Sequence, residues 1–108
     1  MAGYFKLNTA SDGQFFFNLK AGNHETVLTS ETYKQKQSAL DGIESVKKNS
    51  QIDAHFKREV SKKGKDFFTL VAANGQTIGK SEEYSSKSAM EDGIGVVKSI
   101  APKAEIKE

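Results

Sequence analysis

The sequence predicts an α+β protein in which two tandem β3-αβ repeats build one mainly antiparallel sheet, with two helices packed on one face. Three observations carry this expectation. The chain matches itself at a constant offset, and each copy switches halfway from a period of two to a helical period. Its 108 residues suit one shared core better than two separate ones.

The offset is 51 residues, Tyr84 minus Tyr33, with no gap. It lays Tyr33-Lys34-Gln35-Lys36 over Tyr84-Ser85-Ser86-Lys87 and Asp41-Gly42-Ile43 over Asp92-Gly93-Ile94. Upstream it pairs Phe5-Lys6 with Phe56-Lys57, Gly13 with Gly64, Phe16-Phe17 with Phe67-Phe68, Asn23 with Asn74 and Ser30-Glu31 with Ser81-Glu82. Downstream, Val46-Lys47 meets Val97-Lys98. The single domain therefore divides into repeat 1, residues 1–51, and repeat 2, residues 52–108.

Each copy opens with a three-strand meander. Phe5 and Leu7 alternate with Tyr4 and Lys6 up to Ser11-Asp12-Gly13, and Phe56, Arg58 and Val60 precede Lys63-Gly64 in the same way. Phe17, Leu19 and Ala21 then share one face of a second strand, with Phe16, Asn18 and Lys20 on the other. Gly22-Asn23 and Asn74-Gly75 close these hairpins. Thr26–Ser30 and Thr77–Ser81 read as third strands. Leu40, Ile43 and Val46, then Met90, Ile94 and Val97, follow a helical period. Ser38 to Asp41 and Ser88 to Glu91 resemble capping boxes one position out of register. Gly42 and Gly93 fall mid-helix, where each costs about 0.8–1 kcal/mol relative to Ala, and mark points where the helix backbone approaches the sheet. Ile52 to His55 and Ala104 to Lys107 can each supply a short further strand.

Taken together, Ser-Glu-x-Tyr before the helix, Asp-Gly-Ile inside it, Phe-x-Leu-x-Ala in the second strand and Ala-x-Asn in the hairpin resemble the YegP-like family, also called UPF0339 or DUF1508. The resemblance spans nearly the whole chain. It implies a β3-αβ unit present twice in one sheet, with C-terminal strands exchanged between the units. Copy two departs from copy one at Asp66 and Gly79, opposite Phe15 and Leu28. The resemblance brings no activity, cofactor or catalytic residue with it, and marks an uncharacterised small bacterial-type protein.

Composition narrows the chemistry. Sixteen Lys plus Arg against fourteen Asp plus Glu leave +2, too small a surplus to address nucleic acid or membrane by net charge alone. The absence of Cys excludes disulfides, thiolate catalysis and Cys-ligated metals. The opening Met1-Ala2-Gly3-Tyr4-Phe5-Lys6 lacks a leader's apolar stretch, and no run approaches the roughly 18 apolar residues of a membrane span. A cytoplasmic monomer without membrane partners is the expectation.

His24 and His55 stand alone, one in a hairpin and one in a strand, so no metal or cofactor site is expected. Gly93-Ile94-Gly95 lies inside a helix and lacks the lysine of a phosphate loop. Ser30, Glu31 and Tyr33, with Ser81, Glu82 and Tyr84, could line a polar pocket; the plainer reading has the hydroxyls satisfy turn backbone and the tyrosines cap the core. No enzyme signature emerges.

With both helices on one side, strand residues of opposite parity face outward. Tyr4, Lys6, Phe16, Asn18 and Lys20 join His55, Lys57, Phe67, Thr69 and Val71 as a candidate binding face, which a basic turn of Lys62, Lys63 and Lys65 would extend. The leading expectation is a non-enzymatic binding or interaction module for an unknown protein or ligand. The alternative is single-stranded nucleic acid, stacked on Phe16 and Phe67 with its phosphates on Lys6, Lys20 and Lys57.

Overall fold

A computed structural model describes residues 3–108; Met1 and Ala2, at the head of the segment read for a leader, lie outside them. Seven strands form one sheet: β1 (Tyr4–Thr9), β2 (Phe15–Lys20), β3 (Thr26–Ser30), β4 (Phe56–Val60), β5 (Asp66–Val71), β6 (Thr77–Lys80) and β7 (Glu105–Lys107). Two helices, α1 (Lys36–Asn49) and α2 (Lys87–Ile100), complete the two meanders. The strand order is β4-β5-β6-β3-β2-β1-β7. All pairs are antiparallel except β1 with β7.

Alternation decides which side is covered. Phe5, Leu7, Phe17, Leu19, Phe56, Phe68 and Leu70 are buried in one core with Ala39, Ile43, Val46, Met90, Ile94 and Val97 of the helices. That cluster contains residues of both helices, so both lie on the same face of the sheet. Phe5 meets Phe17 edge-on at 5.9 Å, and Phe56 meets Phe68 at 5.7 Å. Tyr33 and Tyr84 then stack on Phe17 and Phe68, each at 6.3 Å, and roof the core. The mid-helix glycines are close-contact points, as expected: a Cβ on Gly42 would sit 2.6 Å from the Tyr33 phenol oxygen and 3.0 Å from the Phe17 ring.

All four hairpin turns end in the left-handed region, at Gly13, His24, Gly64 and Gly75. His24, with φ of 70°, adopts what glycine supplies in the other three. Asn23 and Asn74 fix their turns by accepting from the amides of Glu25 and Gln76, at 3.1 and 3.0 Å.

The halves join through β3 and β6, where Thr29 faces Lys80 and Ser30 faces Gly79. Thr29 and Lys80 are themselves equivalent by the offset of 51, so a pseudo-two-fold axis passes through that pair. The strand exchange takes one form here: β7, from repeat 2, lies parallel to β1 of repeat 1, with Phe5 opposite Ile106.

Three local expectations are corrected. Ile52 to His55 is no strand; Asp53–His55 is a 3-10 turn, because the chain must enter β4 at once. Neither expected capping serine caps, since both lie inside their helices. Ser86 caps α2 by accepting from the Ala89 amide at 3.1 Å, and Gln35 stands at the start of α1 with no side-chain cap. Arg58 and Val60 share the parity of buried Phe56 but are exposed, because β4 is the terminal strand of the sheet.

Candidate binding face

The side opposite the helices is open. Pairing registers place one continuous row across it, strand by strand: Lys57, Thr69, Lys80, Thr29, Asn18, Lys6 and Lys107. Adjacent strands stand about 4.8 Å apart, so six steps give a row of roughly 29 Å along the sheet. Four of its seven residues are lysines, and Thr69, Thr29 and Asn18 supply neutral polar groups between them. A chain of hydrogen bonds stiffens one half, with Asn8 donating to Asn18 at 2.8 Å and Asn18 to Thr29 at 3.0 Å. In the other half Thr69 donates to Glu59 at 3.2 Å.

Aromatic rings flank the row. Phe16 and Phe67 occupy the open parity of β2 and β5, each half-buried and outside the core cluster. The Lys80 ammonium lies 4.8 Å from the centre of Phe67, and that of Lys107 lies 4.6 Å from the centre of Tyr4. Tyr4 also hydrogen-bonds His24 Nδ1 at 2.9 Å, and Lys20 donates to Thr26 at 3.0 Å. Lys62, Lys63 and Lys65 are exposed on the β4–β5 turn.

Of the residues expected on this face, Tyr4, Lys6, Phe16, Asn18, Lys20, Lys57 and Phe67 lie there, and Thr69 lies there by register but is buried among its neighbours. Val71 is there by parity but is buried, outside the core cluster. His55 does not belong: it ends the 3-10 turn, and its Nδ1 lies 2.6 Å from Asn49 Oδ1 at the end of α1. Lys80, Thr29 and Lys107 were not anticipated. The register shifts between Leu19 and Lys20, leaving Val27 as an extra, bulged residue of β3, and between Leu70 and Val71, leaving Ile78 bulged in β6, so simple alternation fails along β3 and β6. Lys107 needs the β7 to β1 pairing before it can be placed at all.

The serine and tyrosine cluster has the plainer role. Ser30 Oγ accepts from the Phe17 amide at 2.9 Å and donates to the Glu31 carbonyl at 2.8 Å. Ser81 does the same with Phe68 and Glu82, at 2.9 and 2.8 Å. Both hydroxyls are thus committed where the third strand leaves the ladder. A cleft of about 380 Å³ does open between the repeats, lined by Glu31, Tyr33 and Asp41 of one copy and Gln76 and Thr77 of the other. The titrating group raised there is the Tyr33 phenol, pushed up by burial and then by the charge of Glu31. Among the described residues no three His, Asp or Glu converge as a metal cage. No helix of the described residues is long and apolar enough to cross a membrane.

The architecture defines a class: a tandem-repeat α+β protein with one sheet, helices on one side and a polar, lysine-bearing face on the other. The chain belongs to the family described as Domain of unknown function (DUF1508), whose profile matches residues 10–56 and 61–108, the two matches starting 51 residues apart. It is 53% identical, over its whole length and 96% of the relative, to a UPF0339 protein of Bordetella pertussis. It is 45% identical to the UPF0339 protein YegP of Escherichia coli, covering 98% of that chain. Solution NMR structures of the Shewanella oneidensis UPF0339 protein and of Escherichia coli YegP superpose with TM-scores of 0.93 and 0.94, at 48% and 46% identity. Each aligns with 99% of this chain, over 91% and 92% of the relative. The Escherichia coli protein is described as of unknown function.

Proposed function

We propose that this chain is a non-enzymatic, monomeric binding module whose recognition surface is the open sheet face, and that its ligand is single-stranded nucleic acid. The observation that carries the reading is the continuous row from Lys57 to Lys107, flanked by Phe16 and Phe67. Ammonium groups spaced along a sheet suit the phosphates of a flexible strand, and half-exposed rings offer base-stacking platforms. Lys80 over Phe67 and Lys107 over Tyr4 bring both kinds of group to one place. The small net charge of the chain is no obstacle, because the open face concentrates five lysines, Lys6, Lys20, Lys57, Lys80 and Lys107, against Glu59 and Glu105.

The test is fluorescence anisotropy with a labelled mixed-sequence single strand at low and moderate salt. Affinity should fall as salt rises, with a slope of about 0.7 per phosphate neutralised. Lys80→Ala should lower that slope by about one contact, and Phe67→Ala should cost about 1–3 kcal/mol of binding. Salt-insensitive or absent binding would overturn the nucleic-acid ligand and leave an interaction module for an acidic protein. Sedimentation should return 11.8 kDa; twice that mass would overturn the monomer.

A further inference from the structure

The offset of 51 lays the β1 edge of the sheet onto the β4 edge: Phe5 onto Phe56, Lys6 onto Lys57, Lys36 onto Lys87 and Lys47 onto Lys98. The correspondence holds in space. The Lys47 ammonium stands 6.0 Å from the Phe5 ring, and that of Lys98 stands 5.7 Å from Phe56. On the β1 side the outer edge is filled: β7 runs parallel to it, with Ile106 opposite Phe5 and Lys107 opposite Lys6. One residue further on, the carboxylate of Glu108 pairs with Lys36 at the start of α1. On the β4 side the counterparts of Phe5 and Lys6, Phe56 and Lys57, stand without a strand beside them, while His55, the counterpart of Tyr4, lies in the 3-10 turn. β4 ends the sheet, and Lys87 makes no ion pair among the described residues. The cause is connectivity. After α2 the chain is free to lie beside β1, but after α1 it turns through Asp53–His55 to become β4 and cannot also lie alongside it.

We propose that the outer edge of β4 accepts a parallel strand from a partner protein, with an aliphatic residue opposite Phe56 and a carboxylate two positions later at Lys87. The chemistry copies what Ile106 and Glu108 do on β1. Main-chain hydrogen bonds along an open edge supply the attachment, and the side chains supply selectivity. Lys57, Arg58 and Glu59 are exposed on this strand, a charged edge of the kind that discourages indiscriminate pairing. Arg58 is already committed to Glu91 and Asp53, at 2.7 and 3.2 Å, which leaves Lys87 as the cation for an incoming carboxylate. The chain's own C-terminal strand is retained on β1, so the occupant is a segment of another protein rather than of a second copy.

The probe is a synthetic peptide with the sequence of residues 101–108, added to the uniformly labelled full chain and followed by amide shifts. Saturable shifts at residues 56–60 and at Lys87 are expected, with β1 amides unmoved. Lys87→Glu should weaken binding two- to fivefold, the range a surface ion pair supplies. A peptide with Asp in place of the residue matching Ile106 should not bind. Shifts confined to β1, equal binding by the Asp peptide, or no shifts along β4 would each overturn the proposal. So would a concentration-dependent dimer in which β4 amides move without peptide.

Discussion

The side chain of Leu28 fills the space in which Gly79 lacks one: a Cβ on Gly79 would lie 2.8 Å from Leu28 Cγ and 2.9 Å from Cδ2. The two residues are equivalents by the repeat offset and meet beside the pseudo-two-fold axis. Two leucines there would collide across the junction, so one copy carries the knob and the other the hole.

Gly79→Leu, which restores strict repeat identity, should destabilise the protein by about 1–3 kcal/mol through overpacking. Leu28→Ala should cost about 2–5 kcal/mol, since Leu28 is only 1% exposed. The exchange Leu28→Gly with Gly79→Leu should be less costly than the sum of its single changes. Urea denaturation of the four proteins measures this coupling.

Gly42→Ala tests the helix approach by its sign. Propensity alone would stabilise α1 by about 1 kcal/mol. The added methyl instead meets the Tyr33 oxygen at 2.6 Å and Phe17 at 3.0 Å, so a net loss of about 1 kcal/mol is expected. Tyr33→Phe in the same chain should recover part of it, as thermal melts would reveal.

Ser81→Ala removes the acceptor of the Phe68 amide in a buried setting and should cost about 1–3 kcal/mol. Ser30→Ala breaks the matching bond to Phe17 where the hydroxyl is only partly buried, and should cost less. Equal losses in denaturant midpoint would contradict this ordering.

Acid stability should depend on Arg58. Hydrogen bonds from Lys98 and Arg58 hold the Asp53 carboxyl below its ordinary 3.8, and Arg58 holds Glu91 below its ordinary 4.5. A carboxyl depressed in the folded state binds fewer protons there than in the unfolded chain, so stability rises with pH in this window. The contribution is complete above about pH 5 and is lost as pH falls through the folded values. Arg58→Gln should flatten that limb, and so should high salt, because the groups are exposed. At the alkaline end the Tyr33 and Tyr84 phenols, raised chiefly by burial, should withdraw stability as pH climbs above 10.

The repeat, the two meanders, both helices, the single shared sheet and the inward face of β1, β2 and β5 were legible in the sequence. Each rests on periodicity or turn chemistry within a few residues: Phe17 and Leu19 alternate with Asn18, and Ile43 and Val46 recur at a helical interval. The close approach at Gly42 and Gly93 was legible as well, because both copies keep a residue that helices disfavour.

The tertiary structure decided what depends on pairing between distant residues. Val27 and Ile78 bulge, which places Thr29 and Lys80 on the open face against simple alternation. His55 turns toward Asn49 because the chain needs those residues to enter β4. Leu28 and Gly79 become partners only when the pseudo-two-fold axis brings equivalent strands side by side. Above all, β7 fills one sheet edge and leaves its duplicate at β4 open, since a chain with two repeats has two equivalent edges but only one free C-terminal strand. Local pattern specifies which face a strand buries; register and edge occupancy are set by hydrogen bonds between segments far apart in the chain.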